Sequence, residues 1–459
     1  MSLLEAFVPE KEGKQASVAV IGAGPAGLFA ARELSKAGVQ VALINRDIKP
    51  GGLAEYGIYP NKHKMKEGLR RQFRKVLEEP NTHYFGNMSI GLDDDLTLEE
   101  LQELGFDALL VCVGAQGTKW LGLPGEELDG VYHAKDIVYH YNNLPPFSEK
   151  SFSIGEKILC VGVGNVMLDI AHWAIRDLKV EEVVAIARRG PADVKFTKKE
   201  MEIVAKNLDL AALDAEFERT GPMMEAVGQD ADQAKQFILS SLERAKDPVS
   251  DTKFSLDFLV SPKRLIGDED GRVRGVEAED TLLEAREGGG TKAVGQGSTR
   301  LIEADTVVFC IGDKVDVSMG LPLDKWGEFA KAPTPRFPIN GISFEAYDPL
   351  SESILDGIFL AGWSREASSG LVGTARRDGN QGAKAALASL EEKGAGSTNA
   401  IEKLEERISA LAKPIVRKAD WVKLEEVEGA LANEQGIEHF KFSSNEDMLT
   451  AMGLLAEKV

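Results

Sequence analysis

The sequence predicts an α/β protein made of two Rossmann-like dinucleotide-binding domains, one inserted in the other. Two observations carry this. A strand, a glycine-rich turn and a helix at Val18–Lys36 (VAVIGAGPAGLFAARELSK) recur as Ile158–Asp177 (ILCVGVGNVMLDIAHWAIRD). Beyond the second copy, the apolar stretch Gly357–Gly362 (GIFLAG) reads as a strand returning to the first sheet.

Each device has a chemical reason. In the first copy the strand meets Gly22, Gly24 and Gly27; in the second it meets Gly162 and Gly164. The first glycine permits the tight turn, and the second lets the backbone approach a pyrophosphate. The helix N-terminus then presents free N–H groups and a positive dipole end. One such motif is weak, but two, 140 residues apart, imply two dinucleotides, a flavin and a nicotinamide. About 20 residues past the glycines, a second strand carries the group that meets the adenosine ribose. After the second copy that strand is Val183–Ala187, and it delivers Arg188 and Arg189, a pair suited to a 2′-phosphate. The second site therefore reads as an NADP site. In the first copy the strand Val39–Ile44 ends at Asn45, an uncharged acceptor where an acid is usual for FAD.

Further along, Pro50-Gly51-Gly52-Leu53 is a turn and Lys62–Leu77 a basic helix. Phe106–Ala115 is a strand, and residues 198–247 form long solvated helices. Residues 257–280 predict a β-hairpin with a primed turn at Asp270-Gly271. Residues 288–298 (GGGTKAVGQGS) read as an exposed loop, residues 301–312 as a strand, and a helix is expected from about Asn380. A KGAGST link (393–398) leads into a charged helical tail. The expected boundaries are 1–115 with 335–459 for the FAD domain and 116–334 for the NADP domain. The tail, 393–459, is expected to pack on the FAD domain.

Composition narrows the function. A formal charge of −20 over 459 residues argues against a nucleic-acid partner. The longest apolar stretch, around residues 18–31, is too short to span a bilayer, and the acidic N-terminus lacks a signal-type core, so a cytoplasmic protein is expected. Cys112, Cys160 and Cys310 each sit in an apolar–Cys–apolar–Gly strand end, and no Cys-x-x-Cys exists. A redox disulfide and an intrinsic iron–sulfur cluster are therefore excluded, and the thiols read as core residues. The six histidines show no ligand spacing, so no metal is expected.

Several stretches together resemble the adrenodoxin-reductase-like ferredoxin–NADP reductases: GAGPAGLFAA (22–31), FGNMSIG (85–91), VGNV (163–166), ARRGPADVKFTKKE (187–200), AGWSREASSGLVGT (361–374) and DWVKLEEVE (420–428). The resemblance implies FAD, NADPH and electron transfer to an iron–sulfur or flavin carrier. It implies flavin contacts at Ala26, Asn45, Leu53, Ile90, Trp363, Gly370, Leu371 and Val372. For the nicotinamide nucleotide it implies Val163, Gly164, Asn165, Val166, Arg188, Arg189, Glu200 and Gly370, with Lys119. Glu200 would orient the two arginines. The chain departs from the family at Asn45, at Met167, which replaces a small residue, at Lys62, which replaces a histidine, and at Ile203, which replaces an acid. Met167 predicts a slightly wider helix–strand crossover, and His63 is a candidate substitute for the lost histidine. A ferredoxin or flavodoxin is the expected partner, docking on Lys62, Lys66, Arg70 and Arg74, the last three at i, i+4, i+8. Two other readings stand beside this one: the flavin entry subunit of a larger complex, like the small subunit of glutamate synthase, and a non-catalytic flavin redox sensor. Either leaves room for an oligomer.

Overall fold

The computed structural model describes residues 15–394 and 399–456. They divide into two compact units, the first running through Gly117 and including Tyr139–Glu149 and everything from Asp313. The second comprises Thr118–Val138 and Lys150–Gly312.

The first unit opens with β1 (Ser17–Ile21), α1 (Pro25–Lys36) and β2 (Gln40–Asn45). It continues through α2 (Leu53–Tyr56), α3 (His63–Leu77), β3 (Thr82–Gly86), α4 (Leu98–Glu103) and β4 (Ala108–Val111). The strands are almost wholly buried, as expected of a parallel sheet covered on both faces. In the second unit come β5 (Val131–His133), β6 (Lys157–Val161), α5 (Asn165–Trp173) and β7 (Glu182–Ala187). After them lie α6 (Lys198–Met201), α7 (Leu210–Glu225), α8 (Ala231–Leu239) and β8 (Lys253–Phe258). A three-stranded antiparallel sheet follows, β9 (Val260–Gly267), β10 (Val273–Ala285) and β11 (Thr291–Glu303), and then β12 (Thr306–Phe309). The chain returns to the first unit with β13 (Glu345–Asp348), β14 (Ser353–Leu360) and α9 (Val372–Lys393). The tail holds α10 (Ala400–Ser409), α11 (Lys418–Glu434) and α12 (Asn445–Met452).

Strand order is β13-β14-β4-β1-β2-β3 in one sheet and β5-β12-β6-β7-β8 in the other. Leaving aside the edge strand β13, the two sheets are the same parallel arrangement drawn twice, with β1 matching β6 and β4 matching β12.

Three local expectations need correction. The turn before β10 is not primed: of its central residues only Gly271 has a positive φ, +78°, and it closes a longer loop in which Asp268 N–H donates to the Arg272 carbonyl. Most of residues 288–298 belong to β11, which pairs with β10 from Thr291 to Glu303; glycine content hid a ladder fixed by its neighbour. Residues 313–334 and 139–149 belong to the first unit rather than the second. Val315, Met319, Leu321 and Phe329 share one apolar cluster with Ile21, Ile44 and Val111, and Tyr139 and Leu144 pack on Tyr56. The tail also lies on this unit, with Trp421, Leu424, Met448 and Leu449 in the cluster that holds Val18 and Leu28. Residues 395–398 of the expected link fall outside the described residues.

Candidate dinucleotide-binding sites

Both glycine turns fold alike. Gly22 and Gly162 have φ of +102° and +113°, which L side chains rarely adopt. A Cβ at Gly22 would sit 2.5 Å from the Cys112 carbonyl oxygen, and one at Gly162 would sit 2.6 Å from that of Cys310. Gly22 N–H donates to the Ile44 carbonyl at 2.7 Å, and Gly162 N–H to that of Ile186 at 2.9 Å. Thus the cysteines close the back of each turn. All three are buried and free, and burial pushes the Cys112 and Cys310 thiols up, away from reactivity. In front, a Cβ at Gly24 or Gly164 would meet nothing within 4 Å. No side chain caps α1 or α5, so each helix presents free N–H groups beside open space. This is the cradle that a pyrophosphate fits.

The copies differ at the third position. A Cβ on Gly27 would lie 1.9 Å from the Gly22 carbonyl oxygen, whereas Met167 occupies the matching place, fully buried. The first helical bond is 2.9 Å at Leu28 and 3.4 Å at Leu168.

In the second unit, Val163, Gly164 and Asn165 are half-buried and Val166 is exposed at the turn. The Val163 carbonyl accepts from Lys195 N–H at 2.9 Å and Asn165 Oδ1 from Thr197 N–H at 2.8 Å, tying the turn to the loop after β7. Arg188 is exposed at the end of β7. Arg189 is braced by Asp193 at 2.9 Å, and Asp193 in turn accepts from Gln229 and Thr291. An acid that orients Arg189 is thus Asp193, which the sequence reading did not name. Its i, i+4 spacing from Arg189 was the available sequence signal. Glu200 lies half-buried in α6, capped by Thr197, and Lys119 is exposed.

In the first unit, Leu53 begins α2 and Val372 begins α9, with Gly370 at φ +71° and Leu371 69% exposed just before it. Trp363 Nε1 donates to the Ser369 carbonyl at 2.8 Å, which fixes the indole against this loop. Ala26 and Ile90 are 5% and 6% exposed. Ala26 packs between Gly362 and Gly379, and Ile90 lies in the apolar core. Asn45 departs from expectation. Its Oδ1 accepts from Ala23 N–H at 2.9 Å, and its Nδ2 donates to the carbonyls of Asp47 at 2.8 Å and Lys49 at 3.1 Å. The amide staples the glycine turn to the loop after β2 rather than facing a ribose.

The basic stripe is also corrected. Lys66 is buried and donates to Asn142 Oδ1 at 2.6 Å. Arg70 forks onto Glu55 at 2.7 and 2.6 Å, and Arg74 pairs with Glu425 of α11 at 2.7 Å. Burial alone drives the Glu55 carboxyl up, but Lys441, Lys49 and Arg70 outweigh it and hold it well below the usual range. Lys62 immediately precedes α3, half-buried. His63 stacks on His439 with ring centres 4.6 Å apart and faces Glu438 at 3.7 Å, so its ring is engaged by the tail. Among the described residues no cluster could hold a metal ion, and no helix is long and apolar enough to cross a membrane.

Two open glycine cradles on separate parallel sheets define a two-dinucleotide α/β protein. Residues 16–220 match the family described as pyridine nucleotide-disulphide oxidoreductase. The likeness is more particular over the whole chain. Mitochondrial NADPH:adrenodoxin oxidoreductase of Arabidopsis thaliana is 27% identical over 476 residues, covering 95% of each chain. NADPH-ferredoxin reductase FprA of Mycobacterium leprae is 27% identical over 467 residues, 94% of this chain and 97% of its own. The solved structure of Mycobacterium tuberculosis FprA in complex with NADPH matches with a TM-score of 0.78 and 26% identity, over 96% of this chain and all of that one. The chain is therefore related to the adrenodoxin-reductase-like reductases over nearly its whole length, as its motifs indicate.

Proposed function

We propose that the chain is an FAD-dependent oxidoreductase that moves electrons between NADPH and a one-electron carrier of the ferredoxin or flavodoxin type. The observation that carries this is the doubled open glycine turn, with Arg188 and Arg189 following the second copy. It is supported by relatives named as NADPH–adrenodoxin and NADPH–ferredoxin reductases.

FAD, when bound, supplies the exchange between a hydride pair and single electrons. The chain's own residues bind and orient. Gly24 and the start of α1 would receive the flavin pyrophosphate, and Gly164 with the start of α5 that of the nicotinamide nucleotide. The exposed Arg188 and the Asp193-braced Arg189 would take the 2′-phosphate. Leu53, Trp363 and the Gly370-Leu371-Val372 turn are the flavin-side groups, and Val163, Asn165, Val166, Glu200 and Lys119 the nicotinamide-side ones.

Anaerobic titration with NADPH and with NADH tests this. Bleaching of the flavin band is expected at far lower NADPH than NADH. Arg188→Ala should raise the NADPH concentration needed by about tenfold or more and leave NADH unaffected, since a charge-assisted phosphate contact contributes roughly 1.5–3 kcal/mol. A bound flavin reduced by neither nucleotide would favour the redox-sensor reading.

A further inference from the structure

The first site needs an acceptor for the adenosine ribose at the end of β2, and Asn45 is buried and committed elsewhere. It is 6% exposed, and both ends of its amide are bonded to the protein's own backbone. We propose that Asp47, two residues on, supplies the carboxylate that holds the adenosine ribose of FAD in this chain. This rests on reading the first site as an FAD site.

Three observations support Asp47. It lines a cavity at the carboxyl ends of β2 and β3, with Arg46 and Ile48 from one strand end and Asn87 and Ser89 from the other. The doubly wound fold places the group that meets the adenosine ribose near the end of this second strand. Its carboxylate is half-buried and held by one side-chain contact, Arg46 Nε to Oδ1 at 3.1 Å, which leaves Oδ2 without a hydrogen-bond partner among the described residues. The same cavity is lined by Tyr56, whose hydroxyl is buried and has no hydrogen-bond partner among the described residues. A buried phenol without a partner is unfavourable unless a ligand or water meets it. The acid that the family carries at the end of β2 is thus displaced by two residues, while Asn45 takes over the bracing of the glycine turn.

The test measures affinity, not turnover. Apoprotein is titrated with FAD and with an FAD analogue whose adenosine ribose is 2′,3′-dideoxy, following flavin fluorescence. The wild type is expected to prefer FAD by about tenfold, the worth of a hydrogen bond to a charged acceptor. In Asp47→Ala that preference should fall to within twofold, and Asp47→Asn should lie between, because its amide oxygen still accepts. An Asp47→Ala variant that keeps the full preference overturns the proposal, whatever its absolute affinity. So does a wild type with no preference between the two. A wild type that binds neither flavin defeats the FAD reading itself, and does so before any substitution is made.

Discussion

Gly22 and Gly24 stand two residues apart, and the structure gives them opposite sensitivities. A side chain at Gly22 meets both a forbidden φ and the Cys112 carbonyl, whereas one at Gly24 meets only open space. Gly22→Ala should therefore cost stability, on the order of 1–3 kcal/mol for the backbone strain with the clash added. Gly24→Val should leave the apoprotein folded, with a melting temperature close to wild type, yet block flavin uptake by filling the cradle. Thermal melts paired with flavin retention on purification separate the two. A Gly24→Val protein that still carries flavin would show that the cofactor lies elsewhere. At this scale the sequence was legible where backbone geometry decides, as at both glycine pairs. It was not legible where a polar side chain had a choice of partners. Nothing in INRD tells that Asn45 turns to Ala23 N–H.

The helix α3 shows what an element's pattern can and cannot say. The i, i+4, i+8 spacing of Lys66, Arg70 and Arg74 correctly defines one face, but only Lys66 on it is buried, and all three cations are engaged by the protein's own side chains. Its partners Glu55, Asn142 and Glu425 lie 15, 76 and 351 residues away, so periodicity could not announce them. The burial of Lys66 has a measurable consequence. Burial, reinforced by Lys441, pushes Lys66 down to about 6 from an ordinary 10.5. Between those values the unfolded chain holds a proton on Lys66 that the native protein lacks. Stability should therefore rise with pH across that window, by at most about 1.4 kcal/mol per pH unit from this one group. Below about pH 6 both states are protonated and the contribution becomes constant. Lys66→Met should flatten this slope, as read from urea midpoints at pH 6.5 and 8.5. A wild type and a variant with equal slopes would mean that Lys66 remains charged in the fold.

On the scale of the whole molecule, the question is how a chain of net charge −20 would meet the proposed electron carrier if that carrier is itself acidic. Two negative bodies repel at long range, so productive association needs a local basic face whose field dominates within a Debye length, about 10 Å at 0.1 M salt. The stripe on α3 is a poor candidate, because Lys66 is buried, Arg70 is neutralised by Glu55, and Arg74, although exposed, is paired with Glu425. If this is right, Arg74→Gln removes a half-exposed ion pair and should cost less than about 1 kcal/mol of stability. It should leave kcat/KM for reduction of an acidic ferredoxin within twofold of wild type at every ionic strength. The decisive comparison is the salt profile rather than a single rate, because loss of a steering charge appears at low salt and vanishes when salt screens it. Overlaid profiles would move the docking face off this helix. A tenfold deficit at about 0.02 M salt that closes by about 0.3 M would return it there, and would mean that Arg74 leaves Glu425 when the carrier arrives.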